Sequence, residues 1–581
     1  MGLADWYLSH AERENPHTVL DAIREGRTAW TTGNEVRPIV HGAPYFAELA
    51  ERIGSTGPGD RIYFVDWRGD ADQRLNDAGD TLVDVLTGAL GRGADVRGLL
   101  WRSHWRKVGM HAEQAFALGR AIEAAGGQCL RDMRVRTAGA HHQKFVIIRH
   151  ENAPDRDVAY VGGIDLCHSR RDTIEHTGDV QALDVAEEYG PRPAWHDVQV
   201  AIRGPAVHDV ETTFRERWED GTPLTLNPGR RLTSWLQAED QDPRPLGPQW
   251  APPSPVSDAH DAVQVVRTYP AILPRGYDFA PDGETSIVRG NAKAMSRARR
   301  LVYVEDQYLW GDDVGEHFAT VLRDRPGLRL VIVLPVLPDI DGTVARTSQF
   351  AARLRALEPI LDAGGDRVLV LGLVNRSGLP IYVHSKICII DDRWASVGSD
   401  NFNRRSWTSD TEIACAIMDD RVDELDEEDP SPTDAFPLRL RRTLCAEHLG
   451  VPEDEVPEDP DELFEALRSA AERLEGWYAG GDDERSRVLR RLTRSRSGRR
   501  RFRTRSSARR RAARSAAARQ QRAQGLGRRP PGQVVRLDPP DLAAWERLWA
   551  DRLYDVIDPD GTVLREEELP ELSEPEAAPR G

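Results

Sequence analysis

His142-Gln-Lys144 and His384-Ser-Lys386 are two short patterns whose residue types and spacing suit phosphoryl chemistry. In an extended strand, positions i and i+2 project to the same face, so each histidine would stand beside its lysine. A neutral imidazole can attack the phosphorus of a phosphodiester while an ammonium neutralises the non-bridging oxygens. The departing alkoxide needs a proton, which a second imidazole can supply from the opposite side. A single pair would say little, because an isolated histidine is more often packed or solvated. Two pairs, each followed by an apolar run and then a glycine turn (Gly162-Gly163 and Gly398-Ser399), point to one composite site. Of 78 basic residues only Lys107, Lys144, Lys293 and Lys386 are lysine. A lysine that persists against so strong an arginine bias marks a position needing a compact ammonium rather than a planar fork.

The elements that must carry these residues occur twice in the same order. Arg61–Trp67, Asp95–Trp101, His142–Ile148 and Asp157–Gly163 read as strands, and so do Arg300–Asp306, Leu328–Leu334, His384–Ile390 and Trp394–Ser399. Most are β-branched and apolar, as in buried strands. Helical stretches such as Ala112–Glu123 lie between them and end at Gly126-Gly127. The expected fold class is therefore α/β, with strands alternating with helices in each of two lobes. Expected boundaries are a first lobe over 1–240, a Pro-rich linker over 241–260, a second lobe over 261–480, and an Arg-rich tail with a short docking segment over 481–581.

At 581 residues the chain is too long for one compact core. A charged fraction of 30% and net charge of −17 argue against wholesale coating of nucleic acid. No stretch approaches the ~20 apolar residues needed to cross a bilayer, and the N-terminus shows no basic n-region or signal-peptide core. Five scattered cysteines, Cys129, Cys167, Cys388, Cys415 and Cys445, lack paired metal spacing and fit reduced thiols in the cytoplasm. From Arg485 to Arg529 there are 19 arginines and no acidic residue. The bland reading is a solvated tail. The functional one is a surface for anionic lipid or nucleic acid. With Phe502 its only aromatic residue, the tail has no base-stacking platform, which favours lipid headgroups.

His384-Ser-Lys386-Ile-Cys-Ile-Ile-Asp391 followed by Gly398-Ser-Asp-Asn401 resembles the signature of the phospholipase D superfamily. His142-Gln-Lys144 with Gly162-Gly-Ile-Asp-Leu-Cys167 is similar to the eukaryotic-type form. Asp66–Asp70, Trp195–Val198, Arg203–Pro205, Phe214–Trp218 and Glu305–Tyr308 support the resemblance, which covers roughly residues 45–420. It implies two similar α/β/α sandwich lobes, each a mixed sheet flanked by helices, related by a pseudo-twofold axis with both histidines at the seam. It also implies metal-independent hydrolysis or headgroup exchange through a phosphohistidine, with no cofactor. By this resemblance His142 would be the nucleophile and His384 the general acid, then the base. The repeat itself makes the two near-equivalent. Lys144, Lys386 and Asn401 would hold phosphate oxygens, helped by the Ser399 hydroxyl or a nearby backbone N–H such as that of Gly163. Glu412, and Asp172 as its first-lobe counterpart, would hold the far ring nitrogens of the histidines. His196 would line the headgroup pocket, against a packing role as the bland alternative. Asp391 completes the second motif and is counted with the catalytic set, at a position that is mainly structural in the family.

Two departures break the symmetry. Arg149 stands where Asp391 stands in the second copy, and Asp165 stands where the second copy has Asn401. A carboxylate cannot donate to a phosphate oxygen unless protonated, so Asp165 is expected to orient a basic residue instead. The expected substrate is a glycerophospholipid met at a membrane surface by a monomer. A cardiolipin synthase-like phosphatidyltransferase and a nuclease of the same superfamily are the alternatives, and a nucleic-acid partner is disfavoured.

Overall fold

The computed structural model describes residues 2–103, 112–225, 227–237, 239–272, 276–338, 343–424, 431–480, 528–539 and 542–560. Strands β1 (Thr31–Val40), β2 (Arg61–Asp66), β3 (Asp95–Trp101), β4 (Gln128–Asp132), β5 (Phe145–Arg149), β6 (Val158–Gly162), β7 (Ala194–His196) and β8 (Val198–Arg203) belong to the first copy. Seven of them form a mixed sheet in the spatial order 4-3-2-5-6-8-1, with β2, β3 and β4 parallel and the rest antiparallel.

The second copy supplies β9 (Asp261–Tyr269), β10 (Glu284–Thr285), β11 (Leu301–Glu305), β12 (Arg329–Val333), β13 (Val368–Val374), β14 (Pro380–Val383), β15 (Ile387–Ile390), β16 (Trp394–Gly398) and β17 (Glu412–Asp419). Its order, 13-12-11-15-16-17-9, repeats the first. The sheets join twice. β1 pairs with β8 on one edge and, past a bulge, with β9 on the other, while β7 runs parallel to β14.

Side-chain alternation sorts each sheet into two faces. Ile62 and Phe64 face outward onto α1 (Gly42–Gly54), α2 (Leu82–Gly91) and α3 (Ala112–Ala124), whereas Tyr63 and Val65 face inward. In the second sheet Val302 and Val304 pack under α4 (Ser286–Met295), α5 (Asp312–Asp324) and α6 (Thr343–Gly364), and Tyr303 turns inward. The inward faces share one apolar cluster with helices Ala206–Trp218, Phe436–Leu449 and Pro460–Gly480, running through both copies. Each lobe is thus a sheet between helices, and each fully buried Leu, Ile or Val in that shared layer is worth about 1.5–3 kcal/mol.

Residues 241–260 pass without helix or strand, held by Arg61 donating to the Pro248 carbonyl (2.9 Å) and stacking on Trp250. Most of the arginine-rich segment, 481–527, lies outside the described residues, and so does Asp541 at the start of the expected C-terminal helix. The chain returns to add strand Val534–Arg536 antiparallel to β13 and helix Ala544–Ile557 against α6. One expectation needs correction. His142–Lys144 and His384–Lys386 precede β5 and β15 rather than lying within them. They are extended lead-ins whose first backbone bonds cross between copies: His142 N donates to the Thr411 carbonyl (3.0 Å), and His384 N to the His196 carbonyl (2.8 Å).

Candidate active site

Those two bonds bring each lead-in to the first residues of a strand in the other copy, where a carboxylate waits. Glu412, at the start of β17, accepts from His142 Nδ1 at 2.9 and 3.0 Å through its two oxygens. Asp197, immediately before β8, accepts from His384 Nδ1 at 2.7 Å. The two acids occupy equivalent places, since Gly163 N donates to the carbonyl after Asp197 and Ser399 N to the carbonyl after Glu412. A carboxylate on Nδ1 fixes the tautomer and leaves Nε2 as the working nitrogen. Glu412 is itself held by the Ser399 hydroxyl (2.5 Å) and the Ser406 hydroxyl (2.8 Å). Burial lifts the Asp197 carboxyl to about 6 against the pull of Lys386, which leaves it ionised at neutral pH.

Both lysines point their ammonium groups into the same seam. Lys144 Nζ donates to its own histidine's carbonyl (2.8 Å) and lies 3.3 Å from Asp165. Lys386 Nζ donates to Gln307 (3.1 Å) and to the His384 carbonyl. Desolvation lowers Lys386 to about 8 in spite of Asp197. Asp165 bridges Lys144 to Arg170 (2.7 Å), and Arg170 lies 4.1 Å over the Trp195 ring, whose centroid is 5.1 Å from that of His384. Burial and then the charges of Lys386, Arg170 and Lys144 hold the His384 imidazole well below its ordinary range. Asn401 is buried, and its Oδ1 has no hydrogen-bond partner among the described residues.

Five sequence expectations change. Asp172 does not hold a ring of the composite site. It accepts from the backbone of Thr173, Gly178 and Trp195 and faces His176, while Asp197 takes the role expected of it. His196 takes the packing role, fully buried with Nε2 on Glu305 (2.9 Å). Asp391 sits at the far end of β15, roughly 20 Å along the strand from His384, where it accepts from the backbone N–H groups of Arg299, Arg300 and Leu301. The Ser399 hydroxyl is spent on Glu412. The Gly163 N–H is spent on Val198, and a Cβ there would stand 2.1 Å from Asp197 Oδ1, so this glycine clears space for the acid. Sequence reasoning missed Asp197 as a partner, and also Gln307, Ser406 and Arg170. The signals for Asp197 were its membership of the Trp195–Val198 stretch and its place one residue before an apolar strand, as Glu412 begins β17.

Known proteins resemble parts of this chain in sequence. The family profile described as Phospholipase D matches residues 114–331, and that described as Cardiolipin synthase, PLD-like domain, matches residues 352–428. The chain belongs to the phospholipase D superfamily. Phospholipase D gamma 2 of Arabidopsis thaliana is 27% identical over 455 residues, covering 61% of this chain and 53% of the relative. Phospholipase D alpha 1 of Cynara cardunculus is 26% identical over 465 residues, covering 62% and 55%. The chain thus spans about half the length of the curated relatives it matches. Among solved structures, phosphatidylserine synthase of Haemophilus influenzae Rd KW20 aligns with a TM-score of 0.44 at 14% identity, covering 66% of this chain and 82% of that one. Within this phospholipase D superfamily chain, Arg149 replaces the motif-ending acid by pairing with Asp157 (2.6 Å) and Glu211 (2.5 Å), a structural ion cluster at the strand's far end.

Proposed function

We propose that the protein is a phospholipase D-type phosphodiesterase that hydrolyses glycerophospholipids, or exchanges their headgroups, through a phosphohistidine. The reciprocal brace carries this reading: each histidine holds its Nδ1 on an acid from the opposite copy and has an ammonium two residues away. In this reading His142 Nε2 attacks phosphorus, the bond to the headgroup oxygen breaks, and His384 gives that oxygen a proton. His384 then takes a proton from water or an alcohol, whose oxygen displaces His142 and releases phosphatidic acid or its ester. Lys144, Lys386 and Asn401 balance and orient the phosphate oxygens. Burial and then the surrounding cations disfavour a proton on His384, and the negative charge of a bound diester opposes the cations' share of that effect.

The substrate is met at a membrane surface. No helix among the described residues is long and apolar enough to cross a membrane. The arginines of 485–529 are assigned to anionic lipid on a peripheral, cytoplasmic monomer, and deleting them should weaken binding to anionic vesicles at physiological salt. The deciding assay incubates the intact protein and His142→Ala with labelled phosphatidylcholine and ethanol. Phosphatidylethanol formed by the first and absent with the second supports the reading. No lipid turnover, with cleavage of single-stranded DNA instead, would sink it. The match of residues 352–428 to a cardiolipin synthase-like profile favours a second reading, in which phosphatidylglycerol is the acceptor. Adding phosphatidylglycerol to the same assay separates the two by product.

A further inference from the structure

Behind the His384 lead-in lies a buried cluster of imidazoles and carboxylates that the phosphodiester reaction does not use. His41 Nε2 is 2.9 Å from Glu447 Oε2, His176 Nε2 is 2.7 Å from Glu447 Oε1, and His196 Nδ1 is 3.4 Å from that same oxygen. All four residues are buried, and one ligand atom from each lies within 4.8 Å of every other. In a tetrahedral zinc site with bonds of about 2.0–2.2 Å, the donor atoms stand roughly 3.4 Å apart, so the 2.7 and 2.9 Å pairs must open by several tenths of an ångström and the widest must close by at most about 1.4 Å.

Three further observations favour a metal over a purely proton-filled network. Metal-bound histidines characteristically turn their far nitrogen to a carboxylate. Here His196 Nε2 is on Glu305 (2.9 Å), and His176 Nδ1 faces Asp172 at 3.6 Å. His196 Nδ1, the nitrogen of that ring that faces Glu447, completes no hydrogen bond although it is buried, and an orphaned polar atom costs about 1–3 kcal/mol. His41 (φ +74°) and His176 (φ +51°) also hold left-handed backbone, uncommon outside glycine and retained where surroundings enforce it. Three imidazoles with one carboxylate suit zinc-class ions better than magnesium or calcium. Four protein ligands with no open position make the site structural rather than catalytic.

We propose that His41, His176, His196 and Glu447 bind one divalent transition-metal ion of the zinc class, with Glu305 and Asp172 as outer carboxylates. The ion would fasten the lead to α1, the 173–178 loop, β7 and helix Phe436–Leu449 at one point. Because Asp197 directly follows His196, it would also fix the acid that holds His384.

The test uses the tag-free full chain expressed with added zinc, its metal content measured by mass spectrometry after gel filtration. The expected result is about one zinc per chain, lost in His176→Gln and Glu447→Gln and kept in His142→Asn. Should the first two variants fail to fold, chelator-stripped wild type is titrated with Co2+. Saturation near one equivalent, with intense visible bands of a tetrahedral site and a raised melting temperature, supports the proposal. Sub-stoichiometric metal together with no response to Co2+ or Zn2+ overturns it, as does loss of the metal in His142→Asn, which would place the ion at the catalytic seam. None of these readouts depends on lipid turnover.

Discussion

Asp197 and Asp172 are the residues on which local reading and tertiary structure part. Asp197→Asn keeps the shape but can no longer hold the productive tautomer of His384, and kcat should fall by roughly two to four orders of magnitude. Asp172→Asn, which touches neither histidine of the seam, should lower kcat less than about tenfold, so initial-rate kinetics on the two variants separates them. The interval from Gly398 to Glu412 is 14 residues, whereas that from Gly162 to Asp197 is 35. The loop that fills the difference hid the true register and left Asp172 nearer the expected spacing. Lysine placement was legible from composition alone: Lys293, a third member of the sparse set, also works as a compact ammonium, donating to the Ala4 and Tyr7 carbonyls and pairing with Glu12. Lys386 sets a pH limit. With its pKa lowered to about 8, it is an ammonium below that value and neutral above it, so kcat/KM should decline as pH rises through about 8. Lys386→Arg, always charged, should lose this alkaline limb in a pH–rate profile even if its rate is low.

Strands carry the site at one end and their own anchors at the other. Asp391 collects three backbone donors where β15 meets β11. Asp391→Ala should therefore cost about 1–3 kcal/mol in denaturant unfolding while the folded fraction keeps near-normal turnover. A loss of turnover without a loss of stability would contradict that assignment. The core strands were legible because apolar runs buried on both faces have a plain sequence signature. β1 was not, since Gly33 and Pro38 interrupt its pattern; Pro38 sits opposite Val200 on the strand that bridges the two sheets. The lead-ins were misread as strand because a period of two persists in any extended chain, and only the crossing bonds to Thr411 and His196 distinguish them.

At the scale of the molecule, duplication was readable and the seam was not, because no local pattern says that an acid will serve the other half's histidine. Residues 1–260 and 261–581 produced separately should each show no turnover. Each half keeps one histidine and loses the carboxylate that braces it, and each exposes its side of the shared apolar layer. Co-expression of the halves should restore part of the activity, measured against the intact chain. The same crossed bracing bears on ancestry. A single unit with one histidine, one lysine and one acid could complete neither brace alone, yet two identical units about a dyad would complete both. That is an isologous dimer, and a head-to-tail fusion would preserve its site while freeing each half to diverge, as Arg149 and Asp165 have done.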